Sequence, residues 1–127
     1  MTYPWAEDFL LSLPGVTTNF QPAWRWQRFY VGDKLFAVLC QDGEGRVVMI
    51  TLKLPPEEGA ALRARWNDVI PGYYMNKQHW NTVRVGGDTP EDVVRTALSR
   101  AWETGLRCLS RKKRLEIVPE EKEESPC

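Results

Sequence analysis

The residues best suited to chemistry crowd into one short segment, residues 71–83. It reads Pro-Gly-Tyr-Tyr-Met-Asn-Lys-Gln-His-Trp-Asn-Thr-Val. Lys77 and His79 could contact phosphate oxygens or base edges of a nucleic acid, and the amides of Asn76 and Asn81 could assist them. The same two amides could instead satisfy backbone groups of a demanding turn, with His79 hydrogen-bonded in a partly buried site. The residue types leave both interpretations open.

The residues that enzymes commonly use are sparse. His79 is the only histidine, which excludes a metal cluster built from histidines. Cys40 falls within a predicted strand and Cys108 late in a predicted helix, where we expect both thiols to be buried as small apolar groups. The chain has no glycine-rich phosphate-binding loop. The sequence therefore predicts a protein that is not an enzyme and needs no cofactor or metal.

Composition and charge narrow the class of protein. The chain has 127 residues, of which 43% are hydrophobic, so one domain with one core is expected. It has no apolar run long enough to span a membrane and does not begin like a secretory signal. Its three cysteines have no paired spacing, which favours free thiols in a reducing cytoplasm. We therefore expect a cytoplasmic protein without a membrane partner.

The net charge of zero conceals an uneven distribution. Residues 116–127 contain five acidic residues and one lysine, which leaves 16 basic and 12 acidic residues in the first 115. The folded part is thus mildly basic, as a phosphate-binding surface requires. The last twelve residues are too charged and too poor in apolar side chains to fold. We predict a single domain over residues 1–115 and a disordered acidic tail over residues 116–127.

The elements that must position these residues follow from apolar periodicity and from turn signals. Predicted helices cover residues 2–13, 55–69 and 89–114, and predicted strands cover residues 26–31, 34–40, 46–53 and 79–85. Residues 14–25 are interpreted as a loop around Asn19, Gln21 and Pro22. The order α-β-β-β-α-β-α predicts an α+β fold with an antiparallel sheet of about four strands and its helices on one face. The second strand is apolar on both faces, which predicts a central position in the sheet.

Side chains alternate between the two faces of a strand, and this sorts the strand residues into two groups. Val48, Ile50 and Leu52 should face the helices. The outer face should carry three aromatic and three basic side chains: Trp26, Arg28, Tyr30, Lys53, Trp80 and Arg84. Such a surface can pair its cations with phosphates and stack its rings on bases. Alternatively, the rings cover the second face of the sheet and the long cations lie over them.

Segment 71–83 resembles the signature of the MmcQ/YjbR family, which commonly reads Pro-Gly-Tyr-His-Met-Asn-Lys-basic-His-Trp-Asn-Thr. Tyr74 replaces the usual histidine, and Gln78 replaces a frequent lysine or arginine, so position 78 lacks a cation for a phosphate. Other stretches agree with the family pattern: Leu-Pro-Gly-Val at 13–16, Phe-Tyr-Val-Gly-Asp-Lys-Leu-Phe-Ala at 29–37 and Leu-Lys-Leu-Pro-Pro-Glu at 52–57. The resemblance spans about residues 5–112.

The resemblance implies a compact fold comparable to CyaY and to secretion-chaperone-like domains, with a double-wing arrangement. The family is often called DNA-binding, and it supplies no catalytic residues to carry over. It marks a hub of motif positions: Tyr73, Met75, Asn76, Lys77, His79, Trp80, Asn81 and Thr82.

We therefore expect a non-enzymatic DNA-binding protein. Its predicted contact set combines the six outer-face residues with Tyr73, Asn76, Lys77, His79 and Asn81. The alternative is a module that binds a protein or a small ligand through the aromatic face, which predicts a homodimer or a protein partner.

Overall fold

The computed structural model describes residues 5–72 and 79–118. In chain order, its elements are α1 (Ala6–Leu11), β1 (Val16–Gln21), β2 (Trp26–Val31), β3 (Lys34–Gln41), β4 (Val47–Lys53), α2 (Pro56–Arg65), β5 (Val69–Pro71), β6 (Trp80–Arg84), α3 (Glu91–Arg107) and α4 (Arg111–Ile117). The α+β class is confirmed. None of the described helices is both long enough and apolar enough to cross a membrane.

The described strands form one antiparallel sheet in the order β1-β2-β3-β4-β6-β5. It has six strands, so the prediction of about four was wrong. β1 lies in residues 14–25, where the polar residues Asn19 and Gln21 suggested a loop; it pairs with β2 along its whole length. β5 occupies Val69–Pro71, where helical spacing suggested that α2 continued. The central position predicted for β3, between β2 and β4, is confirmed.

The C-terminal helical region is divided in two. α3 ends at Arg107, and α4 begins after Ser110, whose hydroxyl oxygen accepts a hydrogen bond from the Lys113 backbone N–H. Because of this break Cys108 is exposed, contrary to the expectation of burial. α4 extends to Ile117 and therefore includes the first two residues that composition assigned to the tail. Residues 119–127 lie outside the described residues.

The core lies between the sheet and its helices. Phe29, Ile50 and Leu52 of the sheet are fully buried together with Leu98 of α3. Of the three β4 residues predicted to face inward, Val48 is the exception, with 39% of its surface exposed. A bulge pairs Gln41 with Val47 and skips Val48. The partly buried Val47 packs against the core instead.

Candidate nucleic-acid interface

The outer face of the sheet is the face that the described helices leave uncovered. Strand pairing places Arg28, Val38, Thr51 and Thr82 in one row across β2, β3, β4 and β6. A second row holds Trp26, Cys40, Met49 and Arg84, and Lys53 stands opposite Trp80 in a third. Residues that pair in this way share a face. Tyr30, two residues after Arg28 on β2, shares the face of Arg28 by alternation. All six predicted outer-face residues therefore lie on the same side of the sheet.

This face is cationic because the six described strands contain no aspartate or glutamate. Arg28 is half-buried, and its Nε donates to Asn19 Oδ1 at 2.8 Å. Lys53 and Arg84 form no ion pair with any residue that the structure describes. The acidic residues of the described ranges lie in the helices and the turns.

Asp68, one residue before β5, lies beside Arg84 and accepts the Arg84 backbone N–H through its carbonyl at 2.9 Å. The carboxylate of Asp68 accepts hydrogen bonds from Thr89 and forms no ion pair with Arg84. An anion that approaches the described strands thus meets basic side chains without an ion-pair partner in those strands.

The side chains at the centre of the outer face are almost inaccessible to solvent. Val38, Thr51 and Thr82 are buried, and the Oγ1 atoms of the two threonines hydrogen-bond to each other at 3.0 Å. Cys40 lies beside them, and its burial raises the pKa of the thiol, while a hydrogen bond with Thr51 acts in the opposite direction. The groups that can contact a ligand are therefore the long side chains around this centre.

Those long side chains are spread over the face. With strands about 4.8 Å apart, Trp26 on β2 lies roughly 14 Å from Arg84 on β6. Trp80 lies four residues before Arg84 on the same strand, about 13 Å along it. The two tryptophans therefore occupy opposite corners, and the face offers separated contacts instead of one cluster.

Sequence reasoning missed an exposed aromatic residue at one corner of this face. Trp24 is 61% exposed, and its ring lies 5.2 Å from that of Trp26, measured between centroids. It belongs to the turn between β1 and β2, where Arg25 adopts a positive φ of 56°. The spacing of two residues between Trp24 and Trp26 was the available signal. This spacing did not predict a pair of neighbouring rings, because residues 14–25 were interpreted as a loop.

Part of the signature segment lies on the other side of the sheet. Asn81 is fully buried under α2, where a Cβ on Gly59 would come within 2.7 Å of its Nδ2. Its Oδ1 accepts a hydrogen bond from Arg63, and its Nδ2 donates to the His79 carbonyl at 3.4 Å. Asn81 thus joins β6 to α2 and is not presented to a ligand on the outer face. The half-buried His79 also accepts a bond from the Leu54 N–H through its carbonyl.

Three further predicted contacts, Tyr73, Asn76 and Lys77, lie outside the described residues. The structure therefore places the six outer-face side chains on one side of the sheet, at separated positions, and places Asn81 on the other side. Within the described ranges, no three His, Cys, Asp or Glu side chains are grouped as metal ligands would be.

The helix side carries a groove of about 340 Å³ between α2 and α3. Leu54, Leu62 and Val93 contribute its apolar lining. Its charged rim is already paired, because Arg100 binds both carboxylate oxygens of Glu58 at 2.7 Å. That bond lowers the pKa of Glu58 and raises the pKa of Arg100. The groove contains none of the predicted contact residues.

Comparison with known proteins identifies relatives of the whole domain. The family model described as YjbR matches residues 11–104. The Escherichia coli K12 protein described as "Uncharacterized protein YjbR" is 28% identical over 111 residues, covering 87% of this chain and 92% of that protein. "Uncharacterized protein YbdF" of Escherichia coli O157:H7 is 27% identical, covering 90% of this chain and 92% of the relative.

Solved structures agree on the fold. The crystal structure of a Deinococcus radiodurans protein is similar with a TM-score of 0.82 at 25% identity, covering 96% of this chain and 92% of that one. A crystal structure of a Pseudomonas syringae protein has a TM-score of 0.65 at 22% identity, covering 83% and 99%.

Proposed function

The chain belongs to the YjbR family, and from that membership and the geometry of its sheet we propose that it binds DNA and catalyses no reaction. The DNA lies on the outer face of the sheet. Basic side chains there contact the phosphates, and the rings at the corners stack on accessible bases.

The observation that carries this proposal is the absence of carboxylates from the six described strands. On a surface that carries both acidic and basic side chains, the carboxylates would repel phosphates and oppose the attraction by the cations. Here Lys53 and Arg84 have no acidic partner among the described residues, and Arg28 is held by the neutral amide of Asn19. Basic side chains without an ion-pair partner are available to phosphates, as binding to a polyanion requires.

The arrangement of the face also favours a long ligand. Its cations lie on different strands, and Val38, Thr51 and Thr82 at its centre are buried. A polynucleotide backbone can reach several separated cations at once because its phosphates recur along its length. The resemblance to a family commonly called DNA-binding makes DNA the ligand to test first. A cytoplasmic location is proposed with it, and Cys40 and Cys108 are free thiols.

Charge reversal at one exposed cation tests the proposal. Fluorescence anisotropy with labelled single-stranded and duplex DNA at about 50 mM salt should show binding that weakens as salt rises, because bound cations release counterions. Arg84→Glu should reduce the affinity about tenfold and lower the slope of log K against log salt by about one.

Arg65→Glu is the matched control, since it makes the same change in charge on α2, on the opposite side of the sheet. Its DNA affinity should stay close to that of the unaltered protein. Equal losses for both variants would indicate a nonspecific effect of net charge. No binding to either DNA at low salt would refute the proposal and favour a protein or small-ligand partner.

A further inference from the structure

β1 forms one edge of the described sheet and pairs with β2 on one side only. The Gly15 carbonyl accepts from the Gly32 N–H at 3.3 Å, and the Arg25 carbonyl accepts from the Gln41 N–H at 3.0 Å. Backbone groups alternate in direction along an antiparallel strand. These two bonds therefore direct the N–H and C=O groups of Val16, Thr18 and Phe20 away from the sheet.

This edge has none of the features that usually prevent strands from pairing. Its sequence, Val-Thr-Thr-Asn-Phe-Gln, has no charged residue and no proline, and its pairing with β2 has no bulge. Residues 17–20 are all exposed, and Phe20 exposes 46% of its surface. The opposite edge, β5, has only three residues and ends in Pro71. Natural proteins protect edges by shortness, charge, proline or bulges, and only β5 follows this rule.

We propose that β1 pairs with β1 of a second copy of this chain, in antiparallel orientation, to form one continuous sheet of two six-stranded halves. The two-fold axis is perpendicular to the sheet and passes midway between Thr18 and the partner's Thr18. An interface of this kind is isologous, because the same surface of each copy contacts the other.

The register follows from the directions of the free backbone groups and of the side chains. Thr18 opposes the partner's Thr18, and Val16 opposes the partner's Phe20. This register joins the three outward-directed residues of each strand by hydrogen bonds. It also places β-branched and aromatic side chains opposite each other on one face, a favourable cross-strand combination. The exposed Phe20 ring thereby gains an apolar neighbour.

A second copy fits this edge better than the remaining segment of the same chain. α4 ends beside the start of β1, where Ile117 lies so close to Gly15 that an added Cβ would meet it at 2.7 Å. The chain after that point reads Pro-Glu-Glu-Lys-Glu-Glu-Ser-Pro-Cys over residues 119–127. Proline and glutamate are poor strand formers, and β1 has no cation to attract four glutamates. β1 itself combines strand-forming residues with an absence of charge.

Light scattering of the full chain tests the dimer. One strand pair is a small interface, so micromolar association is expected, and measurement at about 100 µM should populate the dimer. The unaltered protein should show twice the 14.7 kDa chain mass. Thr18→Lys places two like charges together at the two-fold axis and should reduce the mass to that of one chain.

Thr17→Lys is the matched control, because Thr17 opposes Asn19 of the partner subunit and not a second lysine. This variant should remain dimeric. A single-chain mass for the unaltered protein would refute the proposal. The β1 edge would then pair with an extended peptide or with residues 119–127. A dimer that survives Thr18→Lys would place the interface elsewhere.

Cysteine cross-linking tests the register independently. In a background with Cys108→Ser and Cys127→Ser, Thr18→Cys should give a disulfide-linked dimer under mild oxidation, since directly opposed residues have Cα atoms about 5.5 Å apart. Thr17→Cys should not, because two residues at this position lie about 8 Å apart, beyond the reach of a disulfide. Efficient cross-linking through position 17, or none through position 18, would refute the register.

Discussion

At the scale of single residues, Asn81 shows how a prominent motif residue can serve the fold. Its side chain is completely buried between β6 and α2 and hydrogen-bonds to Arg63 and to the His79 carbonyl. Gly59 makes this possible, because any side chain there would occupy the space of the amide. The glycine in α2 is therefore explained by close packing, although glycine weakens a helix.

A substitution at Gly59 tests this role, because packing and helix propensity predict opposite signs. Helix propensity alone predicts that Gly59→Ala stabilises the protein by about 0.5–1 kcal/mol. Steric overlap with Asn81, 2.7 Å from the new Cβ, predicts destabilisation by about 1–3 kcal/mol instead. Urea unfolding should show the loss. A gain in stability would mean that Asn81 is not packed against this turn of α2.

Among the secondary-structure elements, α2 and α3 are joined by the Arg100–Glu58 ion pair, which stabilises their contact. Arg100 also reaches Glu103 at 3.1 Å on its own helix. The hydrogen bond from Arg100 lowers the pKa of Glu58. The carboxylate therefore stabilises the folded state above the ordinary pKa of a glutamate, and this contribution is lost as the pH falls through the lowered value. Both side chains are partly exposed, so the contribution is at most about 1 kcal/mol.

Glu58→Gln should lower the free energy of unfolding at pH 7 by about 0.5–1 kcal/mol, and by less at high salt. Glu57→Gln is the matched control, because Glu57 is also in the first turn of α2 and has no ion-pair partner among the described residues. Denaturant unfolding at pH 7 and pH 3 measures both variants. The Glu58→Gln deficit should shrink as the pH falls toward 3, because the unfolded chain then binds a proton at Glu58 more readily than the folded ion pair does. A deficit independent of pH would contradict the ion-pair explanation.

Elements with clear periodicity could be predicted, and short or polar elements could not. β2, β3, β4 and β6 are rich in β-branched and aromatic residues, so their positions could be predicted. The outward residues of β2, β4 and β6 followed from alternation, whereas the inward prediction for Val48 failed at a bulge. β1 has polar residues along an exposed edge, and its strand state depends on pairing with β2. β5 has three residues, too few to show a period. Asn81 was predicted as a contact because it belongs to the signature segment, although alternation with Trp80 on β6 directs its side chain to the helix face.

In the whole molecule, the described strands differ from the rest of the chain in the sign of their charge. The charged residues of the strands are all basic, whereas the four described helices carry nine basic and eight acidic residues. The net charge of zero therefore depends on acidic residues in the turns and after α4. A count along the sequence showed an excess of four positive charges before the tail, but it could not show that the strands exclude carboxylates. Strand pairing then places Arg28, Lys53 and Arg84 on one side of the sheet, the side for which we propose DNA binding.

An NMR titration of the protein with a short DNA oligonucleotide at low salt would locate the DNA on its surface. We expect chemical-shift changes at the backbone amides of Arg28, Lys53 and Arg84 and at the indole N–H groups of Trp26 and Trp80. The amides of α2 and α3 should remain unchanged, because they lie on the opposite side of the sheet. Changes confined to those helices, or no changes at all, would refute DNA binding by the outer face.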